Sequence, residues 1–305
     1  MKVLFFATLL LAGAFAIDFM LEKGLKKTGT GEFSTWNAIF SSNINADAII
    51  LGSSRALVQI DPEILDTTLH VNAYNLGMDG YPFSMQYVRY KIFEKYNKKP
   101  KLIIQNVDFM TLFRGTPINK VQFAPYMHED VLKKELEAMG ISETERHVPA
   151  SSYYSEYATI VKGVSEFFNL KHFPSERYKG YFGQDKTWDG VDFQKRLAQD
   201  SIVAEKNPEI VNLFDSFLKE CEASGVQMVL VFSPQYIKMT EFTKNRDTEM
   251  QLYRSFAEKY NIQFLDYSDD PLCYDTTYFY NAMHLNKKGA ELFSLKLAKD
   301  IEIQQ

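Results

Sequence analysis

The chain has 305 residues and a mass of 35.2 kDa, with 46% apolar and 24% charged residues. That composition excludes bulk disorder and the collagen-like and coiled-coil classes, and the length suits one large domain or two small ones. Lys and Arg number 34 against 39 Asp and Glu, a formal net charge of -5 without a basic cluster, which argues against nucleic acid as the main partner.

From Val3 to Ile17 the residues are apolar or small, with Thr8 the one polar side chain. A helix of that run reaches roughly 22 Å, short of the ~30 Å hydrocarbon core. Phe19, Met20 and Leu21, beyond Asp18, bring it near a spanning length. Three readings stand: a signal peptide cleaved at Ala14-Phe15-Ala16, an uncleaved signal-anchor over residues 1–22, or a buried core helix. The first two place the main domain outside the cytoplasmic membrane, and the apolar pattern beyond Asp18 favours the anchor. Lys23, Lys26 and Lys27 lie on its far side, so the positive-inside rule leaves orientation open.

Residues 23–45 read as a connector, with Gly24, Gly29 and Gly31 among Lys and Thr. Ala46 to Gly52 then reads as a short apolar strand stopped by glycine, and Val71 to Leu76 as a second, closed by Gly77. Pro82 to Tyr96 has helical apolar spacing, and Lys101 to Val107 is a third strand. Pro208 to Ala223 is a helix with Gly225 as its stop, and Val226 to Phe232 a fourth strand ended by Ser233-Pro234. Thr243 to Tyr260 is a helix, Ile262 to Leu265 a fifth strand, and Lys287 to Ile301 the closing helix.

Short, nearly continuous apolar strands alternating with helices predict an α/β domain over residues 46–305, three-layered, with a five-stranded parallel sheet covered on both faces. About 110–200 the alternation breaks. That polar, Tyr-rich stretch reads as an insertion at the carboxyl edge of the sheet, where ligands of open α/β sheets bind.

Gly52-Ser53-Ser54-Arg55 follows the first strand directly. A serine on a strand-to-helix turn exposes its Oγ above the sheet, close to backbone N–H groups that bind an oxyanion. No Gly-Lys-Ser/Thr follows, so a phosphate loop is excluded. At the other end of the chain stands Asn281-Ala282-Met283-His284, after the last strand and before the last helix. A doubly wound sheet brings two such ends together.

These blocks resemble the SGNH, or GDSL-type, serine hydrolases. The resemblance implies Ser54 as nucleophile, with Ser53 where the family carries Asp, and His284 as base, with Asn281 where the family carries Asp. It implies Gly77 of Asn75-Leu76-Gly77 as a backbone oxyanion donor, beside the Ser54 N–H. The third block, Gly-x-Asn-Asp, is altered: Asp108 takes the spacing of its Asn, and Asn106 is close by. Within the family, Ser-Ser-Arg-Ala, Asp61-Pro62 and His284-Leu285-Asn286 are similar to the membrane-tethered branch found with bacterial cell-envelope polysaccharides. The resemblance covers about residues 46–110 and 200–301. It implies a flavodoxin-like fold and an esterase or O-acyltransferase, acetyl in related branches. The implied substrate is an acylated polysaccharide; a membrane acyltransferase is an implied partner. A non-catalytic scaffold for polymer assembly is the alternative, favoured by the missing Asp and the altered third block.

Arg55 reads either as a substrate contact or as the partner of a carboxylate. Tyr181 and Trp188 are candidates for an aromatic sugar platform, and Tyr153, Tyr154 and Tyr157 either stack on sugars or pack on the domain. Cys221 and Cys273 form no Cys-x-x-Cys motif and read as separate buried thiols or a single disulfide. His70, His128, His147, His172 and His284 show no metal-ligand spacing, so neither metal nor cofactor is expected.

Overall fold

The computed structural model describes residues 1–142, 148–198, 201 and 203–302, so His147 lies outside the described residues. The chain divides into two compact units. One, the sheet unit, is Ser42–Gly115 with Tyr178–Gln305; the other, the helical unit, is Met1–Ser41 with Thr116–Arg177. This differs from one domain carrying an insertion at about 110–200: only 116–177 of that stretch join the helical unit, and the rest belongs to the sheet unit.

The sheet has five parallel strands: β1 (Ala48–Leu51), β2 (Ala73–Asn75), β3 (Leu102–Asn106), β4 (Gln227–Phe232) and β5 (Gln263–Asp266), in the order β2-β1-β3-β4-β5. The three central strands are the most apolar because both of their faces are covered; Ile49, Ile50, Ile103, Ile104, Val229 and Val231 are fully buried. Ala48, Ile50, Ile104, Val229 and Val231 share a core with Phe293 and Leu297 of the helix Lys287–Asp300. That helix packs on the short helices Ser54–Gln59 and Pro62–Leu69. The helices Phe83–Tyr96, Pro208–Ala223 and Arg246–Tyr260 form another layer, joined by Phe83, Phe214 and Phe256. The architecture is three-layered α/β/α.

Caps set several boundaries. The Asn207 side chain accepts the N–H groups of Glu209 and Ile210, and Pro208 opens the helix, so Pro208–Ala223 has the bounds read from sequence. Asp61 caps Glu63 ahead of the helix Pro62–Leu69, a Pro-led start that hydrophobic periodicity over so few residues does not reveal. A two-stranded hairpin, β6 (Phe279–Asn281) and β7 (His284–Leu285), precedes the last helix.

In the helical unit the first helix runs unbroken over Lys2–Leu25, 24 residues or about 36 Å. It is long and apolar enough to cross a membrane, and its apolar stretch is not buried, unlike a core helix. The expected connector holds a second helix, Gly31–Phe40. Its Trp36 is fully buried against Phe123 and Tyr126 and donates through Nε1 to Gln122 Oε1 at 3.2 Å. These partners lie some ninety residues away, which is why local glycines read as a linker while tertiary contacts make a helix.

Candidate active site

At the carboxyl end of β1 the chain turns through Gly52, whose φ of +148° is one that side chains rarely adopt. A Cβ there would meet Ala56 Cβ at 2.7 Å and Asn106 Cβ at 2.9 Å, so only glycine lets the nucleophile loop lie against the end of β3. This position beside β1 and β3 is the switch point of a sheet in this order. The Ser53 hydroxyl donates to Asp108 Oδ2 at 2.5 Å and makes no cap bond to the helix Ser54–Gln59. The first N–H groups of that helix therefore stand beside Ser54 without a side-chain acceptor from Ser53.

Ser54 Oγ lies 2.7 Å from His284 Nε2, and His284 Nδ1 lies 2.9 Å from Asn281 Oδ1. The hairpin makes the second contact: Asn281 and His284 are cross-strand partners flanking the Ala282-Met283 turn. Asn281 Oδ1 also accepts the Met283 N–H at 3.0 Å, which identifies the facing atom as oxygen. His284 Nδ1 must then carry the hydrogen. Nε2 is left as acceptor, and the Ser54 hydroxyl donates to it. Tyr280 stacks on the imidazole at 5.4 Å and 6°, and the Lys186 ammonium stands 5.7 Å from the Tyr280 ring centre. The Ala282 carbonyl, accepting the Tyr236 N–H at 3.0 Å, ties the turn to the loop after β4.

Electrostatics at this pair are unusual. Burial, with the Arg55 and Arg196 charges, pulls the His284 pKa down to about 3. A carboxylate on Nδ1 would oppose that shift, but an amide occupies its place. The nearby aspartates are engaged elsewhere. Asp266 holds Arg254 and Ser268, Asp269 accepts Tyr274 Oη, Asp270 caps Leu272 and pairs with Lys296, and Asp275 caps Thr277. None of these contacts His284.

Several expected positions take other roles. Asp108 is no oxyanion donor: its carboxylate accepts Ser53 Oγ, the Met110 N–H and Thr111 Oγ1, and it pins the nucleophile loop to β3. The Gly77 N–H is already bonded to Asn75 Oδ1 at 2.9 Å, and a Cβ on Gly77 would meet Leu57 N at 2.6 Å. Gly77 thus lets β2's loop lie against the helix behind the nucleophile. Asn106, next to Gly52, is fully buried, with both side-chain polar atoms unpaired. Arg55 contacts neither solvent nor a paired carboxylate: it is 1% exposed, stacks over Phe232 at 4.5 Å and donates to the Ser233 carbonyl. Burial lowers its pKa to about 10, with the Asp108 charge opposing. Tyr181 is a core residue rather than a platform, and Trp188 packs half-buried against Phe193 and Tyr236. Tyr280 and Arg196 were not read as site residues; the adjacency of Tyr280 to Asn281 is the one signal available in the sequence. Cys221 and Cys273 are separate buried thiols.

The assembled pair, its amide partner and the strand order resemble the arrangement of SGNH-type serine hydrolases. No family model and no curated protein matches the sequence. Among solved structures, the chain is similar to a protein named for the G-D-S-L lipolytic family from Desulfitobacterium hafniense, at 12% identity and a TM-score of 0.40, covering 84% of this chain and 99% of that one. It is also similar to an acetylxylan esterase from Geobacillus stearothermophilus, at 11% identity and a TM-score of 0.41, covering 86% and 97%. A third is a GDSL-like lipase from Bacteroides thetaiotaomicron, at 10% identity and a TM-score of 0.36, covering 83% and 87%.

Proposed function

We propose that the chain is a membrane-anchored serine esterase or O-acyltransferase of SGNH type, acting on acylated cell-envelope polysaccharide outside the cytoplasmic membrane. The observation that carries the chemistry is the hydrogen-bonded run Ser54–His284–Asn281 at the carboxyl edge of the sheet. Ser54 Oγ attacks the acyl carbonyl while His284 Nε2 takes its proton. The resulting imidazolium returns that proton to the leaving sugar oxygen, which frees the alcohol and leaves an acyl-Ser54 ester. Water then releases the acid, or a second sugar hydroxyl takes the acyl group. The Ser54 N–H and the unpaired Asn106 amide are the oxyanion donors in this reading, since a buried amide without partners is costly unless function retains it. A membrane acyltransferase that supplies the acyl group is the partner this reading accommodates.

A second reading, a catalytically inactive scaffold, is favoured by one observation: His284 Nδ1 faces the Asn281 amide, so no carboxylate stabilises the imidazolium, and burial already pulls the imidazole pKa down. Acetate release from acetylated oligosaccharides and from a short-chain aryl ester separates the two. The enzyme reading predicts turnover that Ser54→Ala removes; the scaffold reading predicts identical traces for both proteins.

A further inference from the structure

His284 has a third neighbour besides Ser54 and Asn281, and we propose that this neighbour, Tyr280, is a positioning residue whose ring face stabilises the imidazolium formed when Ser54 gives up its proton. The proposal deepens the serine-hydrolase reading of the site and rests on it. The hairpin builds the contact. Phe279 pairs with Leu285 and Asn281 with His284, so two steps on β6 span one step on β7, and Tyr280 is the extra residue of a bulge. In a regular strand Tyr280 and Asn281 would point to opposite faces; the bulge lets both reach His284. Asn281 meets Nδ1 and Ser54 meets Nε2, while the Tyr280 ring lies parallel to the imidazole within 6°, with ring centres 5.4 Å apart. Parallel rings at that separation form an offset stack.

Charge decides what that stack does. The face of an aromatic ring is electron-rich and attracts a cation within about 6 Å of its centre. A neutral imidazole gains less from it than an imidazolium, so the contact strengthens as the proton passes from Ser54 Oγ to Nε2, which is when it aids the reaction. Nδ1 faces an amide where a triad has a carboxylate, and the Arg55 and Arg196 charges act against the cation. The ring face therefore supplies stabilisation that the site otherwise lacks. The Lys186 ammonium, 5.7 Å from the Tyr280 ring centre, draws on the same electrons and makes that supply partial. Burial, with the Asp79 charge, keeps the Tyr280 hydroxyl protonated well beyond the usual tyrosine range, so the ring stays neutral and takes up no proton itself.

The test varies the electrons of the ring and not its shape. In the full chain, Tyr280→Phe is compared with difluoro- and trifluorophenylalanine at the same position, on para-nitrophenyl acetate, with Ser54→Ala as the blank and thermal melting as the check on folding. Fluorine withdraws the electrons that attract the cation and leaves the ring nearly the same size. The proposal predicts that Tyr280→Phe keeps kcat within about two-fold of wild type. Fluorination then lowers kcat stepwise, by about five-fold or more in all, with KM and melting temperature nearly unchanged. Equal kcat across the fluorinated series, or a fall that only follows a fall in melting temperature, returns Tyr280 to packing and overturns the proposal while the Ser54–His284 reading stands. A loss already complete in Tyr280→Phe overturns it too, by assigning the effect to the hydroxyl. A wild type no faster than Ser54→Ala overturns both the proposal and the reading beneath it.

Discussion

The sheet unit buries a cluster of polar side chains around its candidate site, whereas the helical unit leaves most of the apolar stretch of its first helix exposed. Around Ser54 the structure buries Arg55, Asp108, Asn106 and Asn75, most of them held by short hydrogen bonds. Along the first helix it exposes Phe5, Phe6, Phe15 and Phe19. Burying polar groups costs free energy unless their geometry is satisfied, so they mark where position matters. Exposed apolar surface costs free energy unless something else covers it. The contrast sets the candidate site in one unit and the helix of membrane-crossing length in the other.

The account breaks if changes in the sheet unit leave chemistry intact, and the largest effect belongs to the base. His284→Ala is expected to lower ester hydrolysis by about 10³-fold or more, since the serine then has no proton acceptor; steady-state rates check this. Asn106→Ala is expected to lower kcat by roughly 10²–10³ with KM nearly unchanged, as loss of one oxyanion donor does. An equal fall in a stability assay and an unchanged kcat would return Asn106 to a packing role.

Asn281 sharpens the contrast, because here the site departs from a carboxylate triad. The reverse change, Asp to Asn, costs a chymotrypsin-type triad about 10⁴ in kcat. Asn281→Asp is therefore expected to raise the rate by about tenfold or more, and Asn281→Ala to lower it. The pH profile gives an independent check. Activity needs neutral His284, so it is present above the folded pKa and lost as pH falls through about 3. A carboxylate at 281 favours the imidazolium, so the acid limb of Asn281→Asp should move to higher pH. A profile that stays in place would show that residue 281 does not act on the imidazole.

Smaller effects fall on the loop and then on the surface of the helical unit. Ser53→Ala leaves Asp108 short of a buried partner and is expected to cost about 1–3 kcal/mol in chemical denaturation. Tyr157→Ser, at a solvent-facing position, is expected to stay within about 0.5 kcal/mol in the same assay and to leave ester hydrolysis unchanged. A large loss of turnover from Tyr157→Ser would erase the division of labour between the units.

How much of this could be read from sequence depended on how local the cause was. The strands were legible because a doubly covered parallel sheet demands continuous apolar runs, and Asn207-Pro208 marked a helix start by capping alone. Asn281 and His284 were legible because a two-residue turn brings them together. Long-range events were not. The helix Gly31–Phe40 depends on Trp36 meeting Phe123 and Tyr126. The Gly77 N–H is claimed by Asn75, and Asp108 by Ser53, through contacts that spacing cannot reveal. Tyr181 and Trp188 were read by residue type, which does not distinguish a sugar platform from a core.

The central claim is that Ser54, activated by His284, is a nucleophile. The most direct measurement is covalent labelling with a fluorophosphonate probe, with the modified peptide located by mass spectrometry. The account predicts labelling at Ser54 in the wild type and in Ser53→Ala, and none in Ser54→Ala or His284→Ala. Equal labelling of wild type and Ser54→Ala, or no labelling of the wild type, would contradict it.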